Sequence, residues 1–190
     1  EAMELALRLA DIRLADDDTH DVTAMTGAPT YVVLEHSFHG RTTQAARTSN
    51  SSLASYTRNL RSTVHPMQAH VHTVPVNDVA ELHAKFNWLE HVGQRIDAMV
   101  IEPVMGEGNP GVAVERAFYR AARERTASAG VPFIVDSVQA GLRATGYLSC
   151  IDYPELRSED PPDMEVYSKA LGAGQYPLSV LACTPHIAAR

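Results

Sequence analysis

Short apolar runs that do not alternate with polar residues recur along this chain, and they leave it few folds to choose from. Tyr31-Val32-Val33-Leu34, Ala98-Met99-Val100-Ile101 and Val131-Pro132-Phe133-Ile134-Val135 each fill a strand length without a polar break. Met164-Glu165-Val166-Tyr167 and Leu178 to Ala182 follow. A strand with one wet face alternates in hydropathy, so unbroken apolar strands imply a mostly parallel sheet covered on both faces. The intervening stretches supply the cover. Val79, Leu82, Phe86 and Leu89 recur at helical spacing behind Asp78 and Glu81, a capping-box variant. Val114, Ala117, Phe118, Ala121 and Ala122 form a second stripe, with Arg116, Arg120, Arg123 and Glu124 opposite and Gly130 as its stop. The class is therefore α/β, a three-layer sandwich around a mostly parallel sheet.

At 190 residues the chain suffices for one sizeable domain. Its net charge of −7 argues against non-specific nucleic-acid binding, which needs a basic surface. No run nears the roughly 18 apolar residues of a membrane span, and the first residues do not resemble a signal peptide. Cys150 and Cys183, the two cysteines, form neither a disulfide framework nor a zinc spacing, and the setting expected is cytoplasmic. His70 and His72 share a face if Ala69 to Val74 is a strand, but no third ligand stands at a usable spacing, and no metal is expected. Asp16-Asp17-Asp18 reads as a solvated loop, and the polar stretch from Thr42 to Pro66 as irregular chain. Glu1 to Ile12 already reads as mid-helix, with no initiator methionine, and Pro185 to Arg190 as the opening of another helix. The expectation is a piece of a longer protein.

In open α/β sheets ligands bind beyond the carboxyl ends of the strands. Four chemically loaded segments each follow a strand here: Phe38-His39-Gly40-Arg41, Glu102 to Glu107, Asp136 to Gln139, and Lys169. Lys169 opens the Gly-containing turn Ala170-Leu171-Gly172-Ala173-Gly174, where a buried amine gains nucleophilicity. Asp136 ends an apolar strand, so its charge needs a partner: a ligand cation, a helix N-terminus or Arg143. A carboxylate and a lysine so arranged can present pyridoxal phosphate, the acid on the ring nitrogen and the lysine as Schiff base. Gln139 suits the ring's phenolic oxygen, and Val138 and Phe38 its two faces. Arg41 carries a fork suited to a carboxylate, and Glu107 a charge for an ammonium or an arginine. On the residues alone, a strand-end lysine reaching solvent and ordinary loop charges stay open.

Taken together, these segments resemble the class III pyridoxal-phosphate aminotransferases, the ornithine, acetylornithine and 4-aminobutyrate type, of fold type I. The matching stretches are Glu1 to Ala10, Phe38-His39-Gly40-Arg41-Thr42, Ile101 to Gly108, Asp136 to Gly141 with Thr145-Gly146, and Pro162-Asp163 through Ser168-Lys169 to Pro177. The resemblance implies that Lys169 is the catalytic Schiff-base lysine. It assigns Asp136, Gln139, Val138, Phe38 and His39 to the cofactor, and Arg41 and Glu107 to the substrate. It implies ping-pong transfer of an amino group from an amino acid or ω-amino donor to a 2-oxo acid, in a homodimer. An aminomutase, racemase or decarboxylase would share Lys169 and Asp136, and a cofactor-free scaffold that kept the fold is the other alternative. Residues 1–190 correspond to part of the large, cofactor-binding domain. The phosphate-binding turn is expected before Glu1, and the cross-dimer threonine and small C-terminal domain beyond Arg190, so 1–190 alone should bind cofactor weakly and not turn over. Ser137 stands where the family usually has glutamate and Ser168 where glycine is common, and the loop before Pro162-Asp163 is a few residues long. None of these removes a cofactor contact, but they leave the donor open.

Overall fold

In the computed structural model, which describes residues 1–15, 29–59 and 70–189, the apolar runs form a six-stranded sheet. Its strands are β1 (Thr30–Leu34), β2 (His70–Val74), β3 (Ala98–Ile101), β4 (Phe133–Asp136), β5 (Met164–Tyr167) and β6 (Val180–Cys183). Their order is β2-β1-β3-β4-β5-β6, with β6 antiparallel to β5 and every other pairing parallel. The four inner strands are buried at every position, whereas β6 at one edge is largely exposed and β2 at the other is mostly half-buried.

Two helical layers cover the sheet. On one face, Val32, Met99, Ile101, Phe133 and Val135 meet Leu82, Phe86 and Leu89 of α4 (Val79–His91) and Phe118 and Tyr119 of α5 (Arg116–Ser128). On the other, Tyr31, Val33, Val100, Ile134 and Val166 meet Met3, Ala6, Leu7 and Ala10 of α1 (Ala2–Ala15). Each buried Val, Leu, Ile, Phe or Met among them contributes about 1.5–3 kcal/mol of transfer free energy. The three-layer α/β sandwich expected from the sequence is the architecture found.

The local signals act as expected in most places. The Asp78 carboxylate accepts from the Glu81 N–H at 2.8 Å, although the Glu81 side chain pairs with Lys85 rather than turning back to complete the box. Gly130 takes the left-handed conformation past the end of α5 (φ 66°). The α5 stripe is rotated from the one expected: Ala117 is exposed and Tyr119 is buried, because Val114 precedes the helix and the buried face runs through 118, 119, 122 and 126. Arg123, expected in solvent, lies half-buried against Asp163.

The polar stretch from Thr42 departs most. Its described part forms two helices, α2 (Thr43–Thr48) and α3 (Asn50–Asn59), where irregular chain was expected. The cap of α2 comes from outside the segment. Glu4 of α1 accepts from Thr42 Oγ1 at 2.8 Å, from the Gln44 N–H at 2.9 Å and from the Ala45 N–H at 3.2 Å. Such an acid at a helix start satisfies orphan N–H groups and the positive end of the helix dipole. Residues 60–66, Ala69 and the Asp16-Asp17-Asp18 turn lie outside the described residues. After β6 comes a single helical turn, α6 (Pro185–Ala188).

Candidate active site

Because β1, β3, β4 and β5 run parallel, the segments that follow them emerge at one edge of the sheet. There they enclose a cavity of about 180 Å³. Phe38, His39, Asp136, Val138, Gln139 and Lys169 all line it, as does Glu107; Arg41 does not.

Asp136, the last residue of β4, is almost wholly buried. Its Oδ2 lies 2.9 Å from His39 Nδ1, and its Oδ1 accepts the Val138 N–H at 3.0 Å, a turn closed by the side chain two residues back. Neither a helix N-terminus nor Arg143 serves it; the partner is His39. That imidazole is set in turn by its backbone, whose N–H donates to Ser49 Oγ at 2.9 Å. Its Nε2 is buried with no hydrogen-bond partner among the described residues.

Glu102, for which the sequence suggested no role, ties two loops together. It is 3% exposed, and its two oxygens accept the Phe38 N–H and the Gly106 N–H, each at 2.8 Å. Burial raises its pKa above the ordinary 4.5; the charge of His39 and the two backbone bonds oppose the rise, and Asp136 adds to it. Gly106 has to be glycine for this approach: a Cβ there would stand 2.8 Å from Gln139 Cγ and 3.1 Å from Glu102 Oε2.

Lys169 leaves β5 through Ser168 and opens a single 3-10 turn, Lys169–Gly172. It holds a left-handed backbone (φ 45°), uncommon for a residue with a side chain and a form of strain seen at functional sites. Its Nζ donates to Gln139 Oε1, so the lysine amine and the amide assigned to the ring oxygen meet across the cavity. Farther out, Arg41 lies 3.4 Å from Glu107, with side chains 70% and 53% exposed, and its guanidinium stands 5.7 Å from the Phe38 ring centroid.

A second carboxylate also escaped the sequence reading. Glu165, within β5, accepts from Ser137 Oγ at 2.5 Å, Ser149 Oγ at 2.7 Å and the Cys150 N–H at 2.9 Å. The available signal was a lone acid inside an apolar strand run. Elsewhere, His72 packs edge-on to Trp88 at 5.6 Å while His70 is exposed, and among the described residues no group of three or more His, Cys, Asp or Glu is arranged to hold a metal ion. No described helix is long and apolar enough to cross a membrane.

Comparison with known proteins agrees with this geometry. The family model described as aminotransferase class-III matches residues 1–190. Ornithine aminotransferase 2 of Staphylococcus aureus is 31% identical over 186 residues, 95% of this chain and 40% of that protein. Ornithine aminotransferase of Exiguobacterium is 30% identical over 188 residues, 98% of this chain and 41% of that protein. The chain thus spans about two-fifths of the length of these curated relatives. In fold, it matches the crystal structure of ornithine aminotransferase from Toxoplasma gondii ME49 with a TM-score of 0.76 at 23% identity, over 99% of this chain and 40% of that one. A transaminase from the marine bacterium Virgibacillus matches with a TM-score of 0.75 at 18% identity, over 98% of this chain and 39% of that one. With a family match from the first residue to the last and a fold shared with solved transaminases, the chain belongs to the class-III aminotransferases.

Proposed function

We propose that this chain is the cofactor-binding part of a pyridoxal-phosphate-dependent aminotransferase, moving an amino group from an amino acid or ω-amino donor to a 2-oxo acid. One observation carries the reading: Lys169, Gln139 and the His39-supported Asp136 face a single cavity between Phe38 and Val138. The donor set suits the cofactor. Of the four or so acceptor positions of the Asp136 carboxylate, two are used by described partners, which leaves room for a protonated ring nitrogen. The names of the relatives make ornithine the first donor to assay.

Pyridoxal phosphate supplies an aldehyde that condenses with amines and a protonated ring that takes up electron density. Everything else falls to the chain. Lys169 Nζ would be the amine that holds the aldehyde of the cofactor, and as a free amine it would serve as the base at the amine-bearing carbon of the donor. Asp136 would keep the ring nitrogen protonated, and His39 Nδ1 fixes the carboxylate in place. The Gln139 amide would serve the phenolic oxygen, while Phe38 and Val138 would pack on the ring. Arg41 and Glu107, close enough to pair with each other, take the carboxylate and ammonium of the donor. Residues 1–190 belong to the large domain, with Glu1, Ala2 and Met3 at and before the start of α1 bordering the cavity. A homodimer is proposed with it, supported by exposed Leu142, Tyr147, Leu148, Tyr176, Leu178 and Val180. A cytoplasmic setting accords with two unpaired thiols, Cys150 and Cys183.

The test uses the full-length protein supplemented with pyridoxal phosphate. A visible absorbance band should form and vanish in Lys169→Ala, and ornithine with a 2-oxo acid should give ping-pong kinetics. No band in the wild-type protein would sink the proposal, and carbon dioxide release or isomerisation without an oxo product would move it to another reaction on the same cofactor.

A further inference from the structure

Glu165 interrupts an apolar strand, and the interruption is buried. Met164 and Val166 turn into the α1 side of the sheet, so Glu165 faces the α5 side, where it is 4% exposed. A carboxylate there is tolerable only if donors replace its water. Its described partners include no cation. They are Ser137 Oγ at 2.5 Å and the Cys150 N–H at 2.9 Å on Oε1, and Ser149 Oγ at 2.7 Å on Oε2. These donors come from the two ends of one loop. That loop leaves β4 at Asp136 and returns at Cys150, where a short 3-10 turn (Cys150–Asp152) begins. Its first residues are Ser137, Val138 and Gln139, and Ser137 sits between the acid and the ring-facing valine. Backbone bonds from Ser137 N–H to Val166 O at 3.0 Å and from Gly141 N–H to Ser137 O at 2.7 Å complete the anchor.

We propose that Glu165 is a positioning residue that cinches both ends of the 137–150 loop to β5 and thereby sets Val138 and Gln139 for the cofactor. This rests on the reading above that Val138 and Gln139 hold pyridoxal phosphate. Glu165 itself does not line the cavity and touches no reacting atom. Its effect passes through the Ser137 hydroxyl, one residue from Asp136 and two from Gln139.

The test uses the full-length protein in three forms: wild type, Glu165→Val, and the reciprocal swap Ser137→Glu with Glu165→Ser, which returns a carboxylate to the same junction from the other strand. Hydrogen exchange on the cofactor-free protein should quicken over 137–150 in Glu165→Val and leave β3 and β4 unchanged. Titration with pyridoxal phosphate, followed by absorbance, should show affinity lower by about 10-fold or more, equivalent to about 1.4 kcal/mol. The swap should recover both towards wild type. If Glu165→Val does not fold, Glu165→Gln makes the same comparison, because its amide replaces one of the two acceptor oxygens with a donor and so can no longer accept from both ends of the loop. Unchanged exchange overturns the proposal. So does a variant whose only change is a lower melting temperature with affinity intact, and so does a swap no better than Glu165→Val. The exchange arm needs no cofactor, so a wild-type protein that takes up no pyridoxal phosphate overturns the functional reading, while exchange still decides whether Glu165 closes the loop.

Discussion

Removing the Glu102 carboxylate should cost far more than removing the more conspicuous Glu107 five residues on. Glu102→Ala strips the acceptor from two main-chain donors, the Phe38 N–H and the Gly106 N–H, both bonded at 2.8 Å in a place water reaches poorly. An N–H left unsatisfied in such a site costs about 1–3 kcal/mol, so the pair sums to about 2–6 kcal/mol before any collapse of the loops. Glu107→Ala removes an exposed partner of an exposed arginine, and pairs of that kind are worth about 0–1 kcal/mol. Denaturant midpoints of the cofactor-free protein measure the contrast. The pH dependence has a definite sign. Burial raises the folded-state pKa of Glu102 above 4.5, so its contribution to stability is fully present below that value and declines as pH rises through the folded value. The loss caused by Glu102→Ala should therefore be largest near pH 4 and shrink towards pH 8. Because Phe38 hangs from the same carboxylate, affinity for pyridoxal phosphate should fall as well. A Glu102→Ala protein within about 0.5 kcal/mol of wild type would refute the reasoning, as would a loss that grows with pH.

Two further substitutions probe the scaffold. Asp97 accepts the Thr30 N–H at 2.5 Å, and burial pushes its pKa from 3.8 to about 6. That rise costs the fold about 3 kcal/mol above pH 6 before solvent screening and about 1–2 kcal/mol after it, so stability should decline between about pH 4 and 6. Asp97→Asn keeps an acceptor for Thr30 and should flatten that decline in a urea series at several pH values; an undiminished slope would count against it. At Gly108 a Cβ would fall 1.9 Å from the His36 carbonyl oxygen and 2.5 Å from Ser51 Cβ, so Gly108→Ala must move backbone. It should cost about 3 kcal/mol or more in thermal melts, whereas Gly172→Ala, whose new methyl meets Leu178 Cβ at 3.8 Å, should stay within about 1 kcal/mol.

Most of the strands and the residues of the cavity were legible in the sequence for the same reason. A strand buried on both faces is apolar at most positions, and in a parallel sheet whatever follows it arrives at the ligand edge, so the Phe38, Asp136 and Lys169 segments could be brought together without knowledge of a single contact. The α2 helix was not legible, because its cap is Glu4, some forty residues earlier, and the polar sequence from Thr42 holds no equivalent signal. The rotated stripe of α5 failed for a smaller reason: Val114 is buried but precedes the helix, and counting it as helical displaced the face.

What holds the cavity residues in place lay beyond local reading altogether. His39 meets Asp136 across 97 positions of sequence, Glu102 meets Phe38 across 64, and Glu165 meets Ser137 across 28. No spacing rule reaches that far, and each supporting residue taken alone resembles an ordinary loop or strand polar group. Yet burial makes each of them obligatory, since a carboxylate without solvent must find donors and will fix whatever loop supplies them. Asp136 takes one donor from the β1 loop and one from its own turn, Glu102 ties the β1 loop to the β3 loop, and Glu165 ties the β4 loop to β5. Three buried acids thus connect the loops after β1, β3 and β4 to one another and to β5. The rigidity of the cavity follows from that chain of acceptors, and loosening a link remote from Lys169 should misplace the groups that face it.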